Sequence, residues 1–180
     1  MAQTVDSDSA TGGQAAPGSD ASGGALLSLH REPVRPEWID YNGHMNVAYY
    51  VLAFDHATDA FLDYIGLTDA HRLEAGGSTF AAESHVTYQR EVAEGDPLRF
   101  TTQLLGFDRK RIHYFHQMYH ETEGYLAATN ELLSLYVDLN RRRVTEMPEP
   151  ILERLQAIRD SQRALAKPLE AGQSIALKRR

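Results

Sequence analysis

Apolar positions between Val47 and Ile65 recur at spacings of three and four, through Tyr50, Val51, Phe54, Ala57, Thr58 and Phe61. That is the period of one buried helix face. Asn46 suits the N-cap and Gly66 the left-handed residue that ends a helix. A helix of about twenty residues at 1.5 Å per residue is roughly 30 Å long, enough to cross a small sheet. Elsewhere the pattern changes to alternation, which predicts strands over 27–35, 79–91, 98–105, 111–120 and 125–139. Pro33 and Pro36 end the first of these and fit an edge position. Turns at Glu94-Gly95-Asp96-Pro97, Asp108-Arg109-Lys110 and Glu121 to Gly124 would join the later strands as an antiparallel meander. Pro148 and Pro150 then introduce a short helix over 151–162. The expected fold is α+β: one long helix packed on a curved antiparallel sheet of about five strands.

Residues 1–26 are Gly, Ser, Ala, Asp, Thr and Gln with hardly a bulky side chain, and read as a disordered tail. Residues 27–162 form the domain, and 163–180 read as a flexible basic tail. The net charge is −7, of which Asp6, Asp8 and Asp20 in the N-terminal tail supply −3. This balance argues against nucleic acid as a partner, because phosphate binding needs clustered Lys and Arg. No apolar run approaches the ~20 residues of a membrane helix, and no basic segment followed by an apolar core marks a secretory signal. A cytoplasmic protein is expected. The chain has no cysteine, which excludes disulfides, thiolate metal sites and a cysteine nucleophile.

The segment Asp40-Tyr41-Asn42-Gly43-His44-Met45-Asn46 places a carboxylate, a turn glycine, an imidazole and an amide just before the long helix. Backbone N–H groups at a helix start gather around developing negative charge, so this loop reads as an acyl-transfer site. Taken alone, Asp-x-Asn-Gly is simply a turn sequence. The oxyanion donors would be the N–H groups of Asn46 to Ala48. There is no G-x-S-x-G elbow for a serine nucleophile. His113, His116 and His120 share one strand but their spacing splits them between its faces, with no accompanying metal motif, and they are read as structural; no metal is expected.

Asp40, Gly43, His44, Asn46 and Tyr50 spell D-x-x-G-H-x-N-x-x-x-Y, followed by Phe54-Asp55-x-Ala57 and later by Tyr88-x-Arg90-Glu91-Val92-x-x-Gly95-Asp96. In these motifs and in element order, from Leu27 to Leu139, the chain resembles hotdog-fold acyl-CoA thioesterases of the 4-hydroxybenzoyl-CoA thioesterase type. The run from Trp38 to Met45, residues 55–60 and Asp108-Arg109-Lys110-Arg111-x-His113 are also similar to betainyl-CoA thioesterases of carnitine breakdown, including those fused to carnitine dehydrogenase.

The resemblance implies hydrolysis of an acyl-CoA thioester. Asp40 would act as nucleophile or general base, His44 would orient it or donate to the carbonyl, and Asn46 would shape the loop. Gly43, Val47 and Tyr50 would line the acyl site. Glu83 and His85 share a strand face that in hotdog dimers can approach the partner's loop, and stand as reserve acid/base candidates. Arg109, Lys110 and Arg111, or the run Arg141 to Arg143, would meet the CoA phosphates. For a betainyl group, Trp38, Tyr41, Tyr49 and Tyr50 are the nearby aromatics. Coenzyme A enters only as part of the substrate, no other cofactor is implied, and a homodimer or homotetramer is expected. The rival readings are a hotdog hydratase or dehydratase and a non-catalytic acyl-CoA binder.

Overall fold

The computed structural model describes residues 25–177, so most of the N-terminal segment read as a disordered tail lies outside the described residues. The elements in order are β1 (Leu27–Pro33), a single 3-10 turn (Pro36–Trp38), α1 (Val47–Ile65), α2 (Asp69–Ala75), β2 (Gly77–Tyr88), β3 (Pro97–Phe107), β4 (Arg111–His120), β5 (Leu126–Asp138), β6 (Arg143–Val144) and α3 (Glu149–Ser161). The long helix has the expected limits. The Asn46 side chain accepts from Ala48 N–H, and Gly66 stops the helix at φ +92°, a conformation that costs glycine nothing.

The sheet is antiparallel with order β1-β3-β4-β5-β2, and β6 adds a short pairing to β5. β1 is an edge, as its prolines imply. The meander is only partly right. β3, β4 and β5 follow one another as hairpins, but β2 pairs with β5 at the far edge instead of with β3. The turn at 94–97 therefore closes a crossover rather than a hairpin. Residues 89–96 run along the end of the sheet, held by Gln89 and Arg90 N–H to Ala127 O, Met45 N–H to Val92 O, and Val34 N–H to Asp96 O. Residue alternation cannot distinguish these two connections, because both satisfy the same strand periodicity.

α1 lies across one face of the sheet and buries Tyr50, Ala53, Phe54, Ala57, Phe61 and Ile65. One end of the core gathers Phe54, Trp38, Phe100 and Met118; the other gathers Phe61, Ile65, Tyr114 and Leu155 of α3. Both α2, capped by the Thr68 hydroxyl, and the two-residue β6 escaped the sequence reading. Each is too short for a periodic signal.

Nor does the chain trail away after α3. The Gln162 side chain accepts from Leu104 N–H at 2.8 Å and donates to Thr102 O at 3.2 Å, extending hydrogen bonding along β3 where β1 begins. Beyond it the chain crosses the sheet face opposite α1. Gln103 donates to Ala166 O at 3.1 Å, Gly172 N–H donates to Glu131 at 2.6 Å, and Phe115 on that face is only 1% exposed. Residues 163–172, part of the segment read as a flexible tail, lie against this face. Single apolar residues such as Leu165 and Ala171 pack there without any periodicity to announce it.

Candidate active site

The Asp40 loop is a clipped hairpin in miniature. Ile39 and Met45 form an isolated bridge, Asp40 N–H donates to His44 O, and Gly43 N–H returns to Asp40 O. One Asp40 carboxylate oxygen accepts from Asn42 N–H at 2.8 Å, so the turn reading of this tetrapeptide is correct as far as it goes. The second oxygen has no partner among the described residues. Gly43 sits at φ +81°, which explains the glycine in the turn.

Asp40, Asn42, His44 and Val47 line an open cleft of about 470 Å³ between this loop and the end of β2. Tyr50 forms its back wall. Its ring is 5% exposed and meets Tyr88 edge-on at 5.2 Å. Burial raises the Tyr50 phenol above the ordinary range, and a hydrogen bond with the Val92 backbone works against that shift. Tyr88, Gln89, Arg90 and Glu91 make the second wall. That wall is the start of the crossover, so the sequence reading, which placed a hairpin here, did not assign these residues to the site. Their signal was present in the motif Tyr88-x-Arg90-Glu91, yet nothing in a linear pattern says that it meets residue 40.

His44 Nε2 is 3.4 Å from a Glu91 oxygen, joining the two walls. Arg90 lies over the Tyr125 ring at 3.8 Å and 3.5 Å from Glu123, so its charge is drawn away from the loop. Of the three N–H groups expected to serve an oxyanion, two are committed. Asn46 N–H donates to Trp38 O and Ala48 N–H to the Asn46 side chain. The Val47 N–H has no partner among the described residues, and Val47 lines the cleft. A helix start with a spare donor beside a carboxylate can hold a carbonyl while its carbon is attacked.

Several other candidates lie elsewhere. Trp38 is 2% exposed, stacked on Tyr49 at 5.8 Å with Arg35 over its ring, so both rings belong to the core and its margin rather than to the cleft. Tyr41 is 95% exposed and does not line the cleft. Glu83 and His85 face the side of the sheet opposite α1, in a separate cleft with His113 and Glu131, because register sets them beside Leu133 and Glu131. Within one chain they do not join Asp40. Arg109 is paired with Glu146 at 2.8 Å and Arg111 with Asp108 at 2.6 Å; neither residue, nor Lys110, borders the Asp40 cleft. Arg141 is 3.8 Å from Asp138 in a surface turn.

Among the described residues, His30, Glu32 and His56 bring three ligand-type atoms together. One Glu32 oxygen lies 3.0 Å from His30 Nε2 and 2.8 Å from His56 Nδ1, while Arg35 is 3.6 Å from the other. Hydrogen-bond contacts and a guanidinium thus occupy the carboxylate, and the cluster ties β1 to α1.

Comparison with known proteins identifies the family. The model of the "Thioesterase-like superfamily" matches residues 34–155. A betainyl-CoA thioesterase of Pseudomonas aeruginosa is 40% identical over 152 residues, 84% of this chain and 96% of that protein. An L-carnitine dehydrogenase/betainyl-CoA thioesterase of Rhizobium meliloti is 35% identical over 93% of this chain but only 33% of its own length, so the likeness is to one part of it. Among solved structures, a Staphylococcus aureus protein in complex with CoA superposes with a TM-score of 0.81 at 29% identity, covering 89% of this chain and 100% of that one. A putative thioesterase of Pseudomonas putida gives 0.75 at 34% identity, over 86% and 98%.

Proposed function

The chain belongs to the thioesterase-like superfamily with the hotdog fold, and from that premise we propose that it hydrolyses betainyl-CoA to betaine and free CoA, with Asp40 as the acting carboxylate. The observation that carries the site assignment is that an Asp40 oxygen and the Val47 N–H, each without a partner among the described residues, belong to residues lining one cleft. The substrate itself rests on the 40% identity to a betainyl-CoA thioesterase along nearly the whole of that protein.

In this reading Val47 N–H holds the thioester oxygen, and its hydrogen bond strengthens as that oxygen gains charge. Asp40 then acts on the carbonyl carbon in one of two ways: direct attack gives a mixed anhydride that water opens, or proton abstraction makes water the nucleophile. Both routes break the C–S bond, add water across it and release the thiol. Asn42 N–H fixes one Asp40 oxygen, which aims the other. His44, tied to Glu91, keeps the loop against the crossover.

A two-fold partner completes the site. β2 is a twelve-residue edge strand with residues 80–84 exposed, Phe80 at 58%, and an open edge of that length is a template for pairing with a second copy. The proposed assembly is a homodimer or a pair of dimers in which the partner closes the open side of the cleft.

A thiol-release assay over betainyl-, butyryl-, aromatic and long-chain acyl-CoA tests the proposal. Asp40→Asn is expected to lower kcat at least ~100-fold without changing oligomer size. Activity within a few-fold of the unmodified enzyme would reject Asp40, and equal rates on butyryl-CoA would reject the betainyl reading.

A further inference from the structure

We infer that the trimethylammonium group of the acyl chain is recognised by the Tyr88 ring and the Glu91 carboxylate, on the crossover wall facing Asp40. This inference rests on the substrate reading above and names the part of the site that would produce it.

The constraint comes from the substrate. A betainyl group is trimethylglycine, so its nitrogen lies about 2.5 Å from the carbonyl carbon by ordinary N–Cα–C geometry. Whatever binds the cation therefore stands within a few ångströms of the reacting centre. That excludes the other aromatics near the loop: Trp38 is buried, Tyr49 stacks on it, and Tyr41 stands 95% exposed outside the cleft. Within the cleft the aromatic rings are Tyr50 and Tyr88. Tyr50 is buried and supports Tyr88 edge-on at 5.2 Å, whereas Tyr88 is 48% exposed and has ring surface to offer. Quaternary ammonium ions cannot donate hydrogen bonds, so an aromatic face and a nearby anion are the groups that suit them.

The charge of the cleft points the same way. Asp40 and Glu91 line it. Arg90, the cation on that wall, is engaged by Glu123 and the Tyr125 ring. A cleft with two carboxylates and a diverted guanidinium favours a cationic acyl group and disfavours an anionic one. Glu91 is at the rim, one oxygen 3.4 Å from His44 Nε2 and the side chain 69% exposed, and contributes attraction more than enclosure.

The test compares betainyl-CoA with 3,3-dimethylbutyryl-CoA, which has the same shape with carbon in place of N⁺. For the unmodified enzyme kcat/KM should favour betainyl-CoA. Tyr88→Leu, which keeps apolar bulk but removes the ring, should reduce that preference about tenfold, within the range of a partly desolvated cation–π contact. Tyr88→Phe should retain it, and Glu91→Gln should reduce it by about threefold, with the larger reduction at low salt. A preference unchanged in Tyr88→Leu, or equal losses on both substrates, overturns this inference and leaves the proposed hydrolysis standing. An unmodified enzyme that hydrolyses both thioesters equally overturns the betainyl reading and this inference together. Failure of every thioester would overturn the hydrolase reading and this inference with it.

Discussion

His116 shows how much one side chain can depend on where it is placed. It is fully buried between Thr58 and Thr102, 3.1 Å and 2.9 Å from their hydroxyls. Thr58 gives its hydrogen to Phe54 O, so it accepts from His116 Nε2, and Nδ1 accepts from Thr102. The ring is neutral in this arrangement, and burial pushes its pKa down to about 3. The unfolded chain protonates the same ring near ~6.5. Above that pH neither state binds the proton and the network's stabilisation is complete. As pH falls from there toward about 3 the unfolded state takes up the proton alone, and stability drops by about 1.4 kcal/mol per pH unit. His116→Gln should therefore flatten the decline in unfolding free energy between about pH 6 and pH 4, read by urea denaturation, at the cost of about 1–3 kcal/mol at neutral pH. An acid limb of unchanged slope would show that other groups control it. Its sequence context, with no partners at metal-ligand spacing, marks this histidine as structural, and its surroundings are those of a core residue.

At the scale of elements, α1 was legible to the residue because its two ends and its buried stripe are all local signals: Asn46, Gly66 and the three-four spacing between them. Asn46→Ala should cost about 1 kcal/mol of stability, measured by chemical denaturation. It should also free the Ala48 N–H, now held by the Asn46 side chain. A loss well above that would mean Asn46 also holds the Asp40 loop in shape. The crossover at 89–96 is the opposite case. Its turn residues were recognised, but its destination was set by β2 pairing with β5, which leaves Tyr88, Arg90 and Glu91 facing residue 40. The element misread as a hairpin is thus the one that supplies one wall of the cleft.

The whole molecule raises the matter of its open edge. Phe80→Lys places a charge on the exposed strand that the proposed dimer would pair, a device that blocks edge-to-edge association. The variant should sediment as a monomer and lose about tenfold or more in kcat/KM if the partner closes the cleft. A fully active monomer would remove the second copy from the mechanism. From the sequence alone came the α+β class, the limits of the long helix, the edge character of β1 and the loop that carries Asp40, because each is written in neighbours within a few turns of chain. Only the tertiary structure decided which strand β2 joins, which helix-start N–H remains free, which aromatics reach the cleft, and that residues 163–172 cover the sheet's other face. Those outcomes depend on strand register and on competition for hydrogen-bond partners between residues far apart in sequence, for which periodicity and local propensity carry no term.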